Sequence, residues 1–221
     1  MAPRLRHGAS VAGTTAQAAT SHFDREAATY ESSPRYRRLA EPRTRAVDLL
    51  ELTATDKLLD VGCGTGSTLR RVAPQLAHAA GVDISPKMIE LARAEAREQP
   101  KLEFAVADSA QLPFPDGSFS AVLCTFSFHH YPRPAASARE IARVLEEGGR
   151  LVLADASSDQ WGVRLADLVA RRRESGHVRF YRSNELQRLL ETAGFAEVAI
   201  HRPLGSWFMI AKAVRRASSS A

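Results

Sequence analysis

The segment Leu58-Leu59-Asp60-Val61-Gly62-Cys63-Gly64-Thr65-Gly66 restricts the chain to few architectures. An apolar run with an acid near its end breaks into three glycines at alternate positions and then enters a helix-forming stretch. That pattern reads as a buried parallel strand turning sharply over a ligand. A side chain at Gly62 or Gly64 would hold a bound molecule away from the main chain, whereas glycine permits close approach and positive φ. Gly66 would let the next helix start hard against the strand. A plain turn needs one glycine rather than three, so a ligand is expected here. A nicotinamide loop spaces its glycines G-x-G-x-x-G/A, which would put the third small residue at Ser67; here it comes one position early.

Downstream, helical and strand periods alternate. Leu69, Val72 and Leu76 recur at helical spacing after the glycine loop. A short strand, Ala79 to Ile84, carries Asp83 at its tip, where a doubly wound fold places the acceptor for the two ribose hydroxyls of an adenosine. Asp83 is expected in that role, with Ile84 against the adenine. As a plain helix N-terminal acid it would be redundant, because Ser85 can cap and Pro86 can open the helix that runs to about Gln99. Leu102 to Ala107 alternates into a third strand that delivers Asp108. Ala121 to Thr125 is a continuous apolar run suited to a central parallel strand. Phe126-Ser127-Phe128-His129-His130-Tyr131 leaves its carboxyl end, the edge at which ligands collect in open α/β sheets.

Pro134 to Glu147 reads as an amphipathic helix stopped by Gly148-Gly149, with strand five at Arg150 to Asp155. Trp161, Leu165 and Leu168 give a helical face that ends in Arg171-Arg172-Arg173, ahead of the basic and aromatic run His177 to Arg182. Ser183 is expected to cap a last helix. Phe195 to His201 and Ser206 to Val214 are strands joined by only Arg202-Pro203-Leu204-Gly205, a link short enough to require an antiparallel pair. Helices are also expected at Phe23 to Tyr30 and about Tyr36 to Leu52.

Asp60-Val61-Gly62-Cys63-Gly64-Thr65-Gly66 resembles the first motif of class I S-adenosylmethionine-dependent methyltransferases, and several later segments match the same family in order, over roughly residues 20 to 213. The similarity is greatest to the ubiquinone/menaquinone-biosynthesis-like branch, whose members methylate many small molecules. The resemblance implies an α/β, Rossmann-like doubly wound seven-stranded sheet, mostly parallel with the last strand antiparallel. It implies one domain over 21–214, with lid elements at 21–52 and 156–184, between tails at 1–20 and 215–221. It also implies S-adenosyl-L-methionine as cofactor, leaving as S-adenosyl-L-homocysteine. Asp60, Gly62, Cys63, Gly64, Gly66, Asp83, Ile84 and Thr125 are then cofactor-binding positions. Asp108 would accept from the adenine amino group, and the backbone of Ser109 would lie near the ring nitrogens. An aromatic at Tyr30 would close over the methionine end; read from spacing alone, Phe23 and Tyr30, seven apart, form an apolar helix face.

For the acceptor side, Phe128, Arg179 and Tyr181 are candidate substrate-binding residues, with Arg179 suited to an acidic or aromatic molecule. One of His129 and His130 could accept a proton near the substrate, since imidazole titrates near neutral pH; equally, both could only shape the pocket wall. Adjacent histidines on a regular helix or strand diverge by about 100° or 180°, and no nearby carboxylate or cysteine completes a ligand set. No metal is therefore expected.

Composition narrows the remaining choices. The 221 residues suffice for one well-buried core. The formal charge of +5 is mild and interspersed with acids, which argues against an obligate nucleic-acid binder. Cys63 and Cys124, both in apolar or glycine-rich settings, are expected as free thiols of a cytosolic protein. No apolar run approaches the roughly 18 residues needed to span a bilayer. Residues 1 to 22 hold no acid and are rich in Ala, Ser, Thr and Gly, a bias shared with transit peptides, but with no clear amphipathic period they are expected to be a disordered tail. The expected activity is methyl transfer to an oxygen, nitrogen or carbon of a small-molecule acceptor, in natural-product or quinone-type biosynthesis. RNA or protein methylation, nicotinamide oxidoreduction and non-catalytic cofactor binding stay open.

Overall fold

The computed structural model describes residues 11–173 and 176–217, so residues 1–10 and 218–221 of the tails expected at 1–20 and 215–221 lie outside the described residues. Its elements, in chain order, are α1 (Val11–Glu26), α2 (Pro34–Arg38), α3 (Ala40–Leu49), β1 (Lys57–Val61), α4 (Ser67–Val72), β2 (His78–Asp83), α5 (Pro86–Glu95), β3 (Leu102–Val106), β4 (Phe119–Thr125), α6 (Pro134–Val144), β5 (Leu145–Ala156), α7 (Trp161–Arg173), α8 (Ser183–Thr192), β6 (Phe195–His201) and β7 (Phe208–Arg215). The sheet has seven strands in the order β3-β2-β1-β4-β5-β7-β6. β1 pairs in parallel with β2 on one side and β4 on the other, so the strand order reverses between β1 and β4. β7 runs antiparallel to both of its neighbours. The sheet topology is the one expected from the short link before the last strand.

Alternation along the strands builds two cores. Leu59, Val122 and Leu153 pack on one face of the sheet, and Leu58, Leu123 and Val152 on the other. A strand buried on both faces must be apolar throughout, which is why β4 reads as a continuous run rather than an alternating one. Truncating Leu123, which is fully buried, to alanine is expected to cost about 2–5 kcal/mol. In urea unfolding this would appear as a lower midpoint at unchanged m-value.

Several boundaries differ from the sequence reading. The alanine-rich segment read as a tail is helical from Val11. Alanine is the best helix former, and small side chains let this helix lie close to its neighbour: Ala19 is buried, and a Cβ on Gly176 would come within 2.6 Å of its Cα. The single helix expected over Tyr36 to Leu52 is split at Leu39, which turns into the core and serves as C-cap of α2 and N-cap of α3. Gly148-Gly149 does not stop α6. It forms an irregularity within β5, where the partner of β4 jumps from Leu145 at Phe119 to Arg150 at Ala121. Ser183 is the first residue of α8, not its cap, and the Ser183 N–H donates to Asp159 Oδ2 at 3.2 Å. Trp161, Leu165 and Leu168 do share one face of α7, but that face is exposed. Among the described residues no helix is long and apolar enough to cross a membrane.

Candidate active site

The carboxyl ends of β1 and β4, where the strand order reverses, open onto a cleft. This is where an open α/β sheet binds its ligand. β1 leads directly into the glycine loop. Gly62, Gly64 and Gly66 all have positive φ, at 79°, 55° and 74°, but they serve different ends. A Cβ on Gly62 would lie 2.4 Å from Ser127 Cβ, so the tip of β4 by itself requires glycine here. At Gly66 the obstruction is the Phe104 ring, at 2.5 Å. Only at Gly64 would a Cβ fit without collision, its nearest neighbour being Tyr30 at 3.6 Å.

Asp83 fixes this loop. Its Oδ2 accepts the Gly64 N–H at 2.9 Å and its Oδ1 the Ser85 N–H at 2.9 Å. Burial raises its pKa and the backbone donors oppose that rise. Ser85 accepts the Met88 N–H at 3.1 Å, the expected cap, and donates to Asp24 Oδ1 at 2.5 Å. Asp24 therefore ties α1 over the start of α5. On the other side, Ser127 Oγ and Tyr131 Oη donate to the Val61 carbonyl at 3.0 and 3.1 Å, bracing the β4 tip against the loop. Phe126, next to this brace, adopts φ 53°, a left-handed conformation costly for an aromatic residue and characteristic of binding sites.

Beyond the glycine loop a recess is lined by Tyr30, Arg43, Asp60, Gly64 and Thr125. Asp60 Oδ1 and Arg43 Nη1 are both buried here without a hydrogen-bond partner. Arg43 is held by Tyr30 Oη, which accepts from Nη2 at 3.0 Å, and by the Tyr36 ring, whose centroid lies 4.5 Å from Cζ. Burial pushes Asp60 up to about 7, against the pull of Arg43. Leaving buried charged groups unpaired is costly, and a carboxylate and a guanidinium in one recess complement a ligand carrying both an ammonium and a carboxylate. The sequence reading named Asp60 but missed Arg43, which sits on α3 with no motif around it.

The expected cofactor residues Tyr30, Gly62, Gly64, Asp83, Ile84, Asp108, Ser109 and Thr125 all line the cleft, while Asp60 and Cys63 line the recess. Gly66 lines neither and acts through packing. Asp108 also accepts the Ala110 N–H at 2.8 Å and pairs with Arg133 at 2.7 Å. Phe126, Ser127 and Tyr131, from the run expected at the ligand edge of the sheet, line the cleft, and Met88 joins them without having been expected there. Burial pushes Cys124 up to about 12 and Cys63 higher than its ordinary value, so neither thiol is a thiolate at neutral pH.

The acceptor-side residues divide. His130 lines the cleft. Its Nδ1–H donates to the Gly176 carbonyl at 3.0 Å, leaving Nε2 buried with no hydrogen-bond partner. Burial and the neighbouring His129 push its pKa well below the usual range, so the ring is neutral and a weak base. His129 lies behind it, with Nδ1 2.7 Å from Asp155 Oδ1. The expected divergence of these histidines fails because they occupy a 3-10 turn, Phe128–His130, with ring centroids 3.9 Å apart. Phe128 and Tyr181 are core residues whose ring centroids lie 5.5 Å apart at a tilt of 56°, outside the cleft lining. Arg179 pairs with Glu185 and lies over the Tyr181 ring, also outside the cleft lining. These three were selected by residue type, and the fold uses their apolar and stacking surfaces internally.

A model of the methyltransferase domain family matches residues 59–153, the span from β1 to β5 that carries the glycine loop, Asp83 and Asp108. The demethylmenaquinone methyltransferase of Tropheryma whipplei (strain Twist) is 38% identical over 115 residues, covering 52% of this chain and 48% of that protein. The 27-O-demethylrifamycin SV methyltransferase of Amycolatopsis mediterranei is 38% identical over 138 residues, covering 61% and 49%. The chain thus spans about half the length of the curated relatives it matches. Among solved structures, the YcgJ protein of Bacillus subtilis superposes with a TM-score of 0.70 at 22% identity, covering 80% of this chain and 99% of that one, a likeness of fold. Sheet order and glycine loop agree with the family match: over residues 59–153, from β1 to β5, the chain is similar to the methyltransferase domain family.

Proposed function

We propose that this chain transfers a methyl group from S-adenosylmethionine to an oxygen, nitrogen or carbon atom of a small-molecule acceptor, in natural-product or quinone-type biosynthesis. The observation that carries the reading is the pair of unpartnered buried groups beside the glycine loop, Asp60 Oδ1 and Arg43 Nη1, which match the ammonium and carboxylate of a methionine moiety. Gly64 leaves room for the chain of that moiety. Asp83 would receive the ribose hydroxyls, Ile84 and Met88 would flank the adenine, and Asp108 with Ser109 would border its edge. The acceptor class is supported by relatives named for small molecules, a demethylmenaquinone and a rifamycin precursor. A cytosolic setting fits the two free cysteines.

The cofactor supplies an electrophilic methyl on a positively charged sulfur, which an acceptor attacks in line. The protein has to align, dehydrate and accommodate the loss of charge. α1 contributes Ala19 and Phe23 to the cleft wall and, tied down through Asp24, excludes water from that side. It belongs with the segments proposed as lids, 21–52 and 156–184, within a single domain over 21–214. The bare Nε2 of neutral His130 accepts a hydrogen bond from the acceptor's nucleophile and orients it, with His129 fixed behind by Asp155. A base so weakened by burial positions the acceptor better than it removes its proton.

Asp60 makes the binding pH-dependent. Between its ordinary value of 3.8 and about 7 the folded apo protein holds a proton that the unfolded chain has lost, so apo stability falls as pH rises through that window. Asp60→Asn is therefore expected to raise apo stability at pH 8 by on the order of 2 kcal/mol, while weakening S-adenosylhomocysteine binding. Wild-type affinity should decline as pH falls below 7. Thermal unfolding with and without ligand across pH checks both signs.

The activity is tested with methyl-labelled S-adenosylmethionine supplied to a metabolite extract, total RNA and total protein. Label in the small-molecule fraction supports the proposal, and label in RNA or protein alone overturns it. Ligand binding without turnover on any pool would identify a cofactor-binding protein. A thermal shift with NAD(P) but not S-adenosylhomocysteine would identify an oxidoreductase.

A further inference from the structure

The methyl-transfer reading uses only part of one buried cluster. His129 and His130 meet His177, which lies between α7 and α8, and their candidate ligand nitrogens all lie within 4.8 Å of one another. All three rings are buried. The fold brings them together through the main chain: the N–H groups of Val178 and Arg179 donate to the His129 carbonyl at 3.0 and 3.2 Å. Gly176, which precedes His177, is pressed against α1 at a φ of 91° that suits glycine.

Each ring is anchored on its outer edge. His129 Nδ1 lies 2.7 Å from Asp155 Oδ1, His177 Nε2 2.8 Å from Asp167 Oδ1, and His130 Nδ1 3.0 Å from the Gly176 carbonyl. These partners only accept, so the outer nitrogens donate, and a neutral imidazole that donates from one nitrogen carries its lone pair on the other. The carboxylates are themselves fixed. Asp155 accepts the N–H groups of His129 and Ala156 at 2.9 and 2.8 Å. Asp167 accepts the Phe180 N–H at 2.7 Å and pairs with Arg171. An imidazole held from behind by a carboxylate or carbonyl is the arrangement that orients metal-ligating histidines. Independently, His130 Nε2, on the inner side and at the cleft wall, is buried without a hydrogen-bond partner, a costly state for a polar atom.

We propose that His129 Nε2, His130 Nε2 and His177 Nδ1 form a three-imidazole site for a divalent first-row transition ion, with the fourth position opening on the cleft beside His130. Three neutral nitrogen donors suit zinc, cobalt, iron, nickel or copper and not magnesium or calcium, which take oxygen. At metal–nitrogen distances of about 2.0–2.1 Å, tetrahedral ligand atoms stand closer together than they do here, so ring rotations must contract the cluster on loading. The site does not depend on the methyl-transfer reading. It does compete with an acceptor for the His130 lone pair: loaded protein would present the acceptor with an ion in place of a bare nitrogen, and an oxygen bound there would lose its proton more readily.

The test uses the tag-free full chain, stripped with a chelator and titrated with zinc and separately with cobalt. One ion per chain, with a tetrahedral cobalt absorption spectrum, is expected. His177→Ala should weaken binding by at least ~100-fold and Asp167→Asn, one step back from the ion, by about 10–100-fold. His201→Ala, on exposed β6, should leave it unchanged. Magnesium should not compete. An octahedral or absent cobalt spectrum in the wild-type chain overturns the proposal, as does zinc uptake that survives both His177→Ala and His130→Gln. The wild-type spectrum and the His130→Gln variant decide the matter if His177→Ala does not fold, and a circular dichroism spectrum on each variant identifies that case.

Discussion

Replacing Asp83 by alanine is expected to weaken S-adenosylhomocysteine binding by at least ~100-fold, because two charge-assisted hydrogen bonds to a ribose diol are worth about 1.5–3 kcal/mol each. The loss has a second component. Asp83 also accepts the Gly64 and Ser85 N–H groups at 2.9 Å each, so without it the cofactor loop and the start of α5 lose a shared acceptor. Stability should change much less than affinity. The stranded backbone donors destabilise the fold, but removing a carboxylate whose charge burial disfavours offsets part of that cost. Calorimetric titration of the folded variant, its fold verified by thermal unfolding, reads the two effects separately. Affinity within threefold of wild type would remove Asp83 from the ligand and leave it a role in the loop alone.

The second large effect is on stability and falls on a glycine that a ligand-centred reading would misassign. Gly62→Ala forces an L side chain to φ 79°, at about 1–2 kcal/mol, and places its Cβ 2.4 Å from Ser127 Cβ. Overpacking against the β4 tip brings the expected total to about 3 kcal/mol. Ser127 can be removed from the collision. In the background of Ser127→Gly, which deletes the opposing Cβ but forfeits the hydrogen bond to Val61, the Gly62→Ala penalty should shrink to the conformational cost and the tight approach to Tyr131 Oη at 3.1 Å. A double-mutant cycle by urea unfolding measures that coupling. If Gly62→Ala costs the same with and without the Ser127 side chain, the Ser127 side chain is not what requires the glycine.

What the sequence made legible follows from how local each signal is. The glycine loop, Asp83, the capping Ser85 and the apolar β4 are short-range patterns, and each appears where its pattern points. The antiparallel β7 followed from a loop too short to cross over, a constraint independent of packing. The failures are non-local. Gly148-Gly149 carries a helix-stop signal, but pairing with β4 turned it into an irregularity inside β5. Ser183 has the chemistry of a cap, yet it became the first helical residue once Asp159 accepted its N–H. Arg43 carries no motif and acquires meaning only because α3 packs on β4 and β5, which brings Arg43 into one recess with Asp60. The acceptor-side candidates Phe128, Arg179 and Tyr181 lie outside the cleft lining for the same reason: an aromatic or cationic residue near a strand end has two faces, and only the packed chain decides which one meets the cleft. His177 stands 47 positions beyond His130, and no spacing rule pairs them.

The central claim is that one adenosyl ligand spans the cleft and the recess, with Asp83 at its ribose and Arg43 and Asp60 at its amino-acid end. A crystal structure of the full chain grown with saturating S-adenosylhomocysteine tests it most directly. The account predicts the ribose hydroxyls on Asp83, the ligand carboxylate on Arg43 Nη1, the ammonium on Asp60 Oδ1 and the homocysteine chain passing over Gly64. An empty cleft at saturation, or a ligand seated without touching Asp83 and Arg43, would contradict it.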